Sequence, residues 1–156
     1  MTKSSSLNPK ELKITARIAL VASMYNREIV EGLVAGARRA LREAEAEVIG
    51  PVWVPGALEL PIACRWQVET ETPDAVVAVG CIIRGETLHF DIVANRSSEG
   101  LQAIGITTGI PVLNAVLACE NEAQARERSR GDETNKGYEA AAAALYMAQL
   151  REKMNV

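Results

Sequence analysis

The sequence predicts one α/β domain in which a four-stranded parallel sheet lies between two layers of helices. Four short apolar runs rich in β-branched residues alternate with segments whose apolar residues recur every three or four positions. The chain has 156 residues, enough for one domain with a substantial core. Strands that alternate with helices in this way form parallel sheets with right-handed crossovers.

The first strand and helix are expected at residues 14–22 and 27–44. The strand is an almost continuous apolar run, as expected of a strand buried on both faces. The helix has apolar residues at spacings of three and four, so one of its sides can pack on the sheet. Gly32 and Gly36 lie inside this helix and leave a smooth strip against which another element can pack closely.

The second strand and helix are expected at residues 46–54 and 58–69. The dipeptide Pro55-Gly56 between them is a turn signal, and a proline at position 61 suits the first turn of the helix. Several apolar residues of this helix are candidates for its buried side: Leu60, Ile62, Ala63, Trp66 and Val68.

The second half of the chain repeats the alternation of apolar runs and helical spacing. The expected elements are a strand at 75–82, a helix at 89–104, a loop at 105–109, a strand at 110–117 and helices at 120–130 and 135–154. The inner side of the last helix is expected to include Tyr138, Ala141, Ala142, Leu145 and Leu150.

Composition excludes several classes of function. Residues 1–12 are mostly polar and are expected to form a flexible arm before a domain at 13–156, with neither an export signal nor a membrane span. A net charge of −3 without a dense basic stripe argues against nucleic-acid binding. Three cysteines without CxxC spacing and a single histidine argue against a zinc site. We therefore expect a cytoplasmic protein with reduced thiols.

The turn after the third strand concentrates the chemistry of the chain. It contains a cation (Arg84), a glycine (Gly85), a hydroxyl (Thr87) and the only histidine, His89. Backbone N–H groups at a turn that enters a helix bind anions, and a glycine allows close approach. The alternative is that every α/β protein has such turns and that a histidine near a helix start is structural.

The other strand ends favour the functional interpretation. Ligands of open parallel sheets bind at the carboxyl ends of the strands. These ends carry an aromatic ring and an amide at 25–26, a turn with a carboxylate at 55–59, the turn at 81–89, and the segment 114–119, which begins with an amide. The convergence predicts a site for a small phosphorylated molecule beside a base.

The sequence resembles the lumazine synthase family over residues 14–150. The motifs that carry the resemblance are Tyr25-Asn26, Val54-Pro55-Gly56-Ala57-Leu58-Glu59-Leu60-Pro61, Gly80-Cys81-Ile82-Ile83-Arg84-Gly85-Glu86-Thr87-Leu88-His89-Phe90-Asp91, Gln124-Ala125-Arg126-Glu127-Arg128 and Asn135-Lys136-Gly137. The resemblance implies a flavodoxin-like fold and the condensation of 5-amino-6-(D-ribitylamino)uracil with 3,4-dihydroxy-2-butanone 4-phosphate. The products would be 6,7-dimethyl-8-ribityllumazine, phosphate and water, in the penultimate step of riboflavin synthesis, without a metal or redox cofactor.

The resemblance implies a pocket for the ribitylaminouracil. Tyr25 is expected to stack on the pyrimidine ring, and Asn26 to hydrogen-bond the uracil or the ribityl chain. Glu59 is expected to accept from ribityl hydroxyls, or alternatively to stabilise a helix start. Backbone groups that would hold the ligand belong to Gly56, Ala57, Leu58, Cys81, Ile82 and Ile83.

The resemblance also implies a phosphate site and an acid/base. Gly85, Glu86 and Thr87 would form the phosphate turn, and His89 would move protons, as imidazole does near neutral pH. Arg128 would clamp the phosphate from a neighbouring subunit, since a planar guanidinium binds phosphate bidentately. The alternative for Arg128 is an ordinary charged helix residue.

Two further positions, Asn114 and Lys136, would complete the substrate pocket. Asn114 stands where the family often has phenylalanine. The basic unit of the family is a pentamer with sites between subunits, so we expect a homo-oligomer of at least a pentamer, with riboflavin synthase as a candidate partner. The loop at 129–134 lacks the Gly-Thr-Lys-x-Gly-Asn run of members that form closed capsids, which favours a smaller assembly.

Three other classes of protein are alternatives. A non-catalytic flavin or lumazine binder would need neither the histidine nor Arg128. A response-regulator-like domain would need acidic residues after the first strand, where this chain has Ser23-Met24-Tyr25. A purely structural shell protein would show no turnover.

Overall fold

A computed structural model of the protein describes residues 7–12 and 14–156. Its strands are β1 (Arg17–Ser23), β2 (Glu47–Val54), β3 (Ala75–Ile83) and β4 (Val112–Cys119). They form one sheet of four parallel strands in the order β2-β1-β3-β4. The predicted parallel sheet is therefore confirmed.

Helices cover both faces of the sheet. They are α1 (Arg27–Glu43), α2 (Leu60–Glu71), α3 (His89–Thr108), α4 (Glu122–Arg128) and α5 (Lys136–Met154), with short 3₁₀ turns at Pro9–Glu11 and Ala57–Glu59. One cluster of buried residues joins α1 and α5 to the sheet, and a second joins α2 and α3 to its opposite face. The predicted three layers are confirmed. None of the described helices combines the length and apolar character that a membrane crossing requires.

The central strands, β1 and β3, are buried on both faces. Their alternate residues enter the two core clusters in turn, which explains why both read as continuous apolar runs rather than alternating ones. The adjoining loops therefore extend from strands that are packed into the core on both faces.

Helix boundaries differ from the expected ones where capping decides them. The helix α3 continues to Thr108, so the loop expected at 105–109 is wrong. Gly109 has φ 71° and ends the helix in the left-handed conformation that glycine adopts readily. The helix α4 begins only at Glu122, because the side chain of Asn121 accepts a hydrogen bond from the N–H group of Gln124.

Three apolar residues expected to be buried are exposed. Ile62 and Trp66 are 45% and 57% exposed, and Leu150 is 36% exposed. In α2 the buried positions are instead Leu60, Ala63 and Cys64, at spacings of three and four, and Ile62 and Trp66 project from the opposite side. A helix with apolar residues all round does not reveal which side meets the sheet.

The described part of the predicted arm lies against the domain. Leu12 is buried in the core cluster of α1 and α5, and Leu7 packs against the same cluster. Residues 1–6 and 13 lie outside the described residues. The division into an arm at 1–12 and a domain at 13–156 stays a prediction.

The glycine strip of α1 packs against the segment that leads into α5, with Gly32 next to Ser129 and Gly36 next to Asn135. A Cβ added to Gly36 would overlap the side chain of Asn135, and one added to Gly137 would overlap the carbonyl oxygen of Leu33. Asn135 is fully buried and precedes α5 as its N-cap. This close approach fixes where α5 begins, and therefore where Lys136 lies relative to the sheet.

Candidate active site at the carboxyl ends of the strands

The ends of β1 and β3 are joined by a side-chain hydrogen bond. Asn26 has a left-handed backbone (φ 54°), and its Nδ2 donates to the carbonyl oxygen of Cys81 over 2.9 Å. Tyr25, one residue earlier, is 73% exposed. The ring therefore stands open to a ligand, while Asn26 is held with one of its amide donors already used.

The turn after β2 lies beside the same aromatic ring. A Cβ built on Gly56 would be 3.6 Å from Cδ2 of Tyr25, so the ring and the glycine backbone are in close proximity. Glu59 accepts a hydrogen bond from the N–H group of Gly56 over 2.9 Å. Ala57 is buried and Leu58 is 45% exposed. Ring, turn and carboxylate thus form one wall, with Glu59 also capping the turn.

The turn between β3 and α3 is open to solvent. Residues 85–89 are all exposed, and a Cβ added to Gly85 would meet no heavy atom of the described chain within 4 Å. His89 is the first residue of α3, and its backbone N–H group donates to the hydroxyl of Thr87 over 3.3 Å. The start of a long helix directly after an open glycine turn can bind an anion next to this imidazole.

Arg84 anchors this turn through contacts that the sequence did not reveal. Its guanidinium pairs with Glu120 over 2.9 Å and with Asp91 over 3.3 Å, and it lies 4.3 Å from the centroid of the Phe90 ring. These carboxylates, Glu120 first, raise the pKa of the Arg84 guanidinium above its ordinary value. The only sequence signal was an arginine and an aspartate placed on either side of the glycine turn.

A second group of predicted residues lies along β4. Asn114, Arg128 and Lys136 line one cavity of about 420 Å³ on the outer edge of that strand. Each already has a neighbour in the chain: Asn114 accepts from the N–H group of Val116, Arg128 donates to the carbonyl oxygen of Gln124, and Lys136 pairs with Glu139.

The structure therefore brings the predicted site residues together in two groups. The first group, at the ends of β1, β2 and β3, contains Tyr25, the turns and His89. The second group lies along β4, and neither Tyr25 nor His89 lines its cavity. An arginine, a lysine and an amide beside an open strand edge can complete an anion-binding site on another copy of the chain.

The three cysteines are buried thiols, and we expect them to be unreactive in the folded protein. Burial raises the pKa of Cys64 and of Cys81 to about 12, and the pKa of Cys119 is also raised by burial. A thiol that keeps its proton is a poor nucleophile. An assay with a chromogenic disulfide reagent at pH 8 should find almost no reaction before unfolding and all three thiols after it. Rapid modification of Cys81 in folded protein would contradict this.

The fold and these two groups are typical of an α/β protein that binds a small anionic ligand, with an imidazole beside an open glycine turn. Residues 15–152 match the family model described as 6,7-dimethyl-8-ribityllumazine synthase. The chain belongs to this family, and its parallel sheet between helices is the flavodoxin-like arrangement that the motifs implied.

Relatives with the same name cover most of the chain. A 6,7-dimethyl-8-ribityllumazine synthase of Azorhizobium caulinodans is 46% identical over 143 residues, covering 88% of both chains. One of Xanthomonas euvesicatoria is 44% identical over 140 residues, covering 88% of this chain and 91% of the relative. One of Xanthobacter autotrophicus is 44% identical over 144 residues, covering 89% of this chain and 87% of the relative.

Proposed function

We propose that the protein is a 6,7-dimethyl-8-ribityllumazine synthase of riboflavin biosynthesis. It condenses 5-amino-6-(D-ribitylamino)uracil with 3,4-dihydroxy-2-butanone 4-phosphate and releases phosphate and water. The observation that carries the proposal is the open glycine turn beside His89, which offers a phosphate site and an acid/base in one place, in a chain of this family.

The ribitylaminouracil binds against the wall that Tyr25 forms with the turn after β2. The exposed ring offers a flat apolar face for the pyrimidine. The remaining donor and acceptor capacity of Asn26 and Glu59 serves the polar edge and the ribityl hydroxyls, and the backbone of 56–58 and 81–83 lines the pocket. Stacking plus a few placed polar groups suits a planar ligand with a polyol tail.

The phosphate of the second substrate binds at Gly85, Glu86 and Thr87. Their backbone N–H groups and the start of α3 favour a dianion there, provided that the carboxylate of Glu86 points outward, as its exposure allows. Arg128 supplies the guanidinium, with Lys136 and Asn114 beside it.

The division into two groups supports a site shared between copies of the chain. The edge of β4 with Arg128 completes the turn and His89 of a neighbour, so the active form is a homo-oligomer. Membership of the family supports an assembly of at least a pentamer. The two small-molecule substrates are its ligands, riboflavin synthase is its candidate partner, and its place of action is the cytoplasm.

His89 moves protons during the condensation. The amine adds to the ketone and water leaves as an imine forms; phosphate is then eliminated, and the resulting enol rearranges to a ketone. The ribityl-bearing nitrogen attacks this carbonyl, and loss of a second water closes the ring. Each step transfers a proton, which an imidazole next to the phosphate turn can donate or accept. Much of the rate comes from holding the two substrates in contact.

The test is the absorbance of the lumazine product formed from both substrates, compared with the mixture without protein. We expect clear acceleration, a kcat lowered about 100-fold in His89→Ala, and a KM for the butanone phosphate raised about tenfold or more in Arg128→Ala. Arg151→Ala, in the last turn of α5, is the charge-matched control and should behave like the wild type.

No acceleration by the wild type would overturn the proposal and favour a non-catalytic flavin or lumazine binder. Titration with riboflavin, followed by quenching of its fluorescence, would then identify such a binder. Loss of all turnover in His89→Ala with unchanged substrate binding would contradict the view that proximity supplies much of the rate.

A further inference from the structure

Arg84 makes four contacts around the base of the glycine turn. Its backbone N–H group donates to the carbonyl oxygen of Cys119 over 2.9 Å, and its guanidinium pairs with Glu120 and Asp91 and lies over the ring of Phe90. These partners come from the end of β4 and from the first turn of α3. Arg84, which directly follows β3, thus links the end of that strand to these two segments.

Among the described residues, the turn has two further hydrogen bonds, from the N–H group of His89 to the hydroxyl of Thr87 and from that of Ile92 to the carbonyl oxygen of Leu88. Residues 85–88 are exposed, and Gly85 has open space where a side chain would project. Arg84 precedes this turn and Asp91 follows it, and their ion pair connects its two ends. An anion-binding turn that is held in shape before the ligand arrives loses less conformational freedom on binding.

The charges of Arg84, Asp91 and Glu120 indicate how Arg84 acts on a bound phosphate. Two carboxylates share its guanidinium through Nε and Nη1, so part of its donor capacity is engaged and its positive charge is already compensated within the chain. Without Arg84, Asp91 and Glu120 would stand uncompensated near the anion site and repel a phosphate.

We propose that Arg84 is a positioning residue for the phosphate-bearing substrate: it holds the turn at 85–88 in shape and offsets part of the negative charge of Asp91 and Glu120. The inference rests on the proposed condensation. Its ion pairs are about two-fifths exposed on the arginine side, and exposed pairs contribute little to folding. The variant should therefore fold, and its effect should be concentrated on one substrate.

The experiment compares Arg84→Ala with Arg17→Ala in the condensation assay. Arg17 is a matched control at the opposite end of the sheet, because it also bridges two carboxylates, Glu47 and Glu71, and its side chain is 40% exposed against 38% for Arg84. We expect Arg84→Ala to raise the KM for the butanone phosphate about tenfold or more, with the KM for the ribitylaminouracil unchanged. Arg17→Ala should change neither.

Two further measurements distinguish the positioning role of Arg84 from a general loss of structure in the variant. The inhibition constant for inorganic phosphate should rise in Arg84→Ala along with the KM. Arg84→Lys should recover part of the loss, since lysine restores a charge but cannot span both carboxylates as a planar fork does.

The outcomes are distinguishable. An inactive wild type would overturn the proposed function. An active wild type with equal effects of Arg84→Ala on both KM values, or an Arg84→Ala variant indistinguishable from Arg17→Ala, would overturn the role of Arg84 alone and leave the proposed function standing.

Discussion

The substitution Gly137→Ala is expected to lower the free energy of unfolding by about 3 kcal/mol or more. The added methyl group would overlap the carbonyl oxygen of Leu33, which belongs to the backbone of α1 and cannot rotate away. Relief requires that α5 move off α1, and this would separate one of the largest helix–helix contacts in the chain. At the limit, the variant yields no folded protein.

Urea unfolding followed by circular dichroism, at one fixed protein concentration, would measure the effect. Gly131→Ala is the control, because a Cβ there meets no heavy atom of the described chain within 4 Å. Its change should be within about 1 kcal/mol of the wild type, or slightly stabilising. Equal midpoints for Gly137→Ala and the wild type would contradict the close α1–α5 approach.

The second large effect is expected for Asn135→Ala, at about 3 kcal/mol of lost stability. The side chain of Asn135 donates to the carbonyl oxygens of Gly32 and Arg130, and it accepts from the N–H groups of Gly137 and Tyr138. It is fully buried, so its removal takes away all four bonds, and the N–H group of the buried Gly137 loses this partner.

Asn121→Ala is the matched control for this prediction. Asn121 also caps a helix, but it is exposed and holds a single N–H group, that of Gln124, at 2.9 Å. Its loss should cost about 1 kcal/mol. A cost for Asn135→Ala no larger than that of the control would show that the buried network contributes nothing beyond a cap.

A double-substitution cycle sharpens the test of this contact. A methyl group at Gly36 overlaps only the side chain of Asn135 among the nearest atoms, whereas the methyl group at Gly137 overlaps backbone. Gly36→Ala should therefore cost less in the Asn135→Ala background than in the wild type. Strict additivity would exclude the contact.

Stability and the candidate site are linked through this cap. Asn135 immediately precedes Lys136, which shares a cavity with Arg128. A loosened start of α5 would displace the cationic wall along β4, so Asn135→Ala should also weaken phosphate-substrate binding.

The class of fold could be predicted because it depends on local periodicity. Continuous apolar runs and three-to-four spacing each report on neighbouring residues, and their alternation implies the parallel sheet that the structure confirms. Element ends were less predictable. Both Gly105 and Gly109 resemble helix stops, and only the backbone conformation at Gly109 shows which one ends α3.

The candidate site could be predicted only in part. The sequence placed Tyr25, Glu59 and His89 after strand ends, as the structure does. Asn114, expected at the carboxyl end of the fourth strand, instead lies inside β4 opposite Ala78, and the roles of all these residues stay predictions. The sequence did not indicate the ion pair of Arg84 with Glu120, because the two residues lie 36 positions apart and meet only through the pairing of β3 with β4.

By itself the sequence determined the elements, their alternation and the residue types at each strand end. Only the tertiary structure decided which side chains meet: that α5 docks on the glycines of α1, that Ile62 and Trp66 face outward, and that Arg128 lies beside the edge of β4. The physical reason is range. Periodicity and capping act within a few residues, whereas contacts across strands and between helices depend on the packing of segments far apart in the chain.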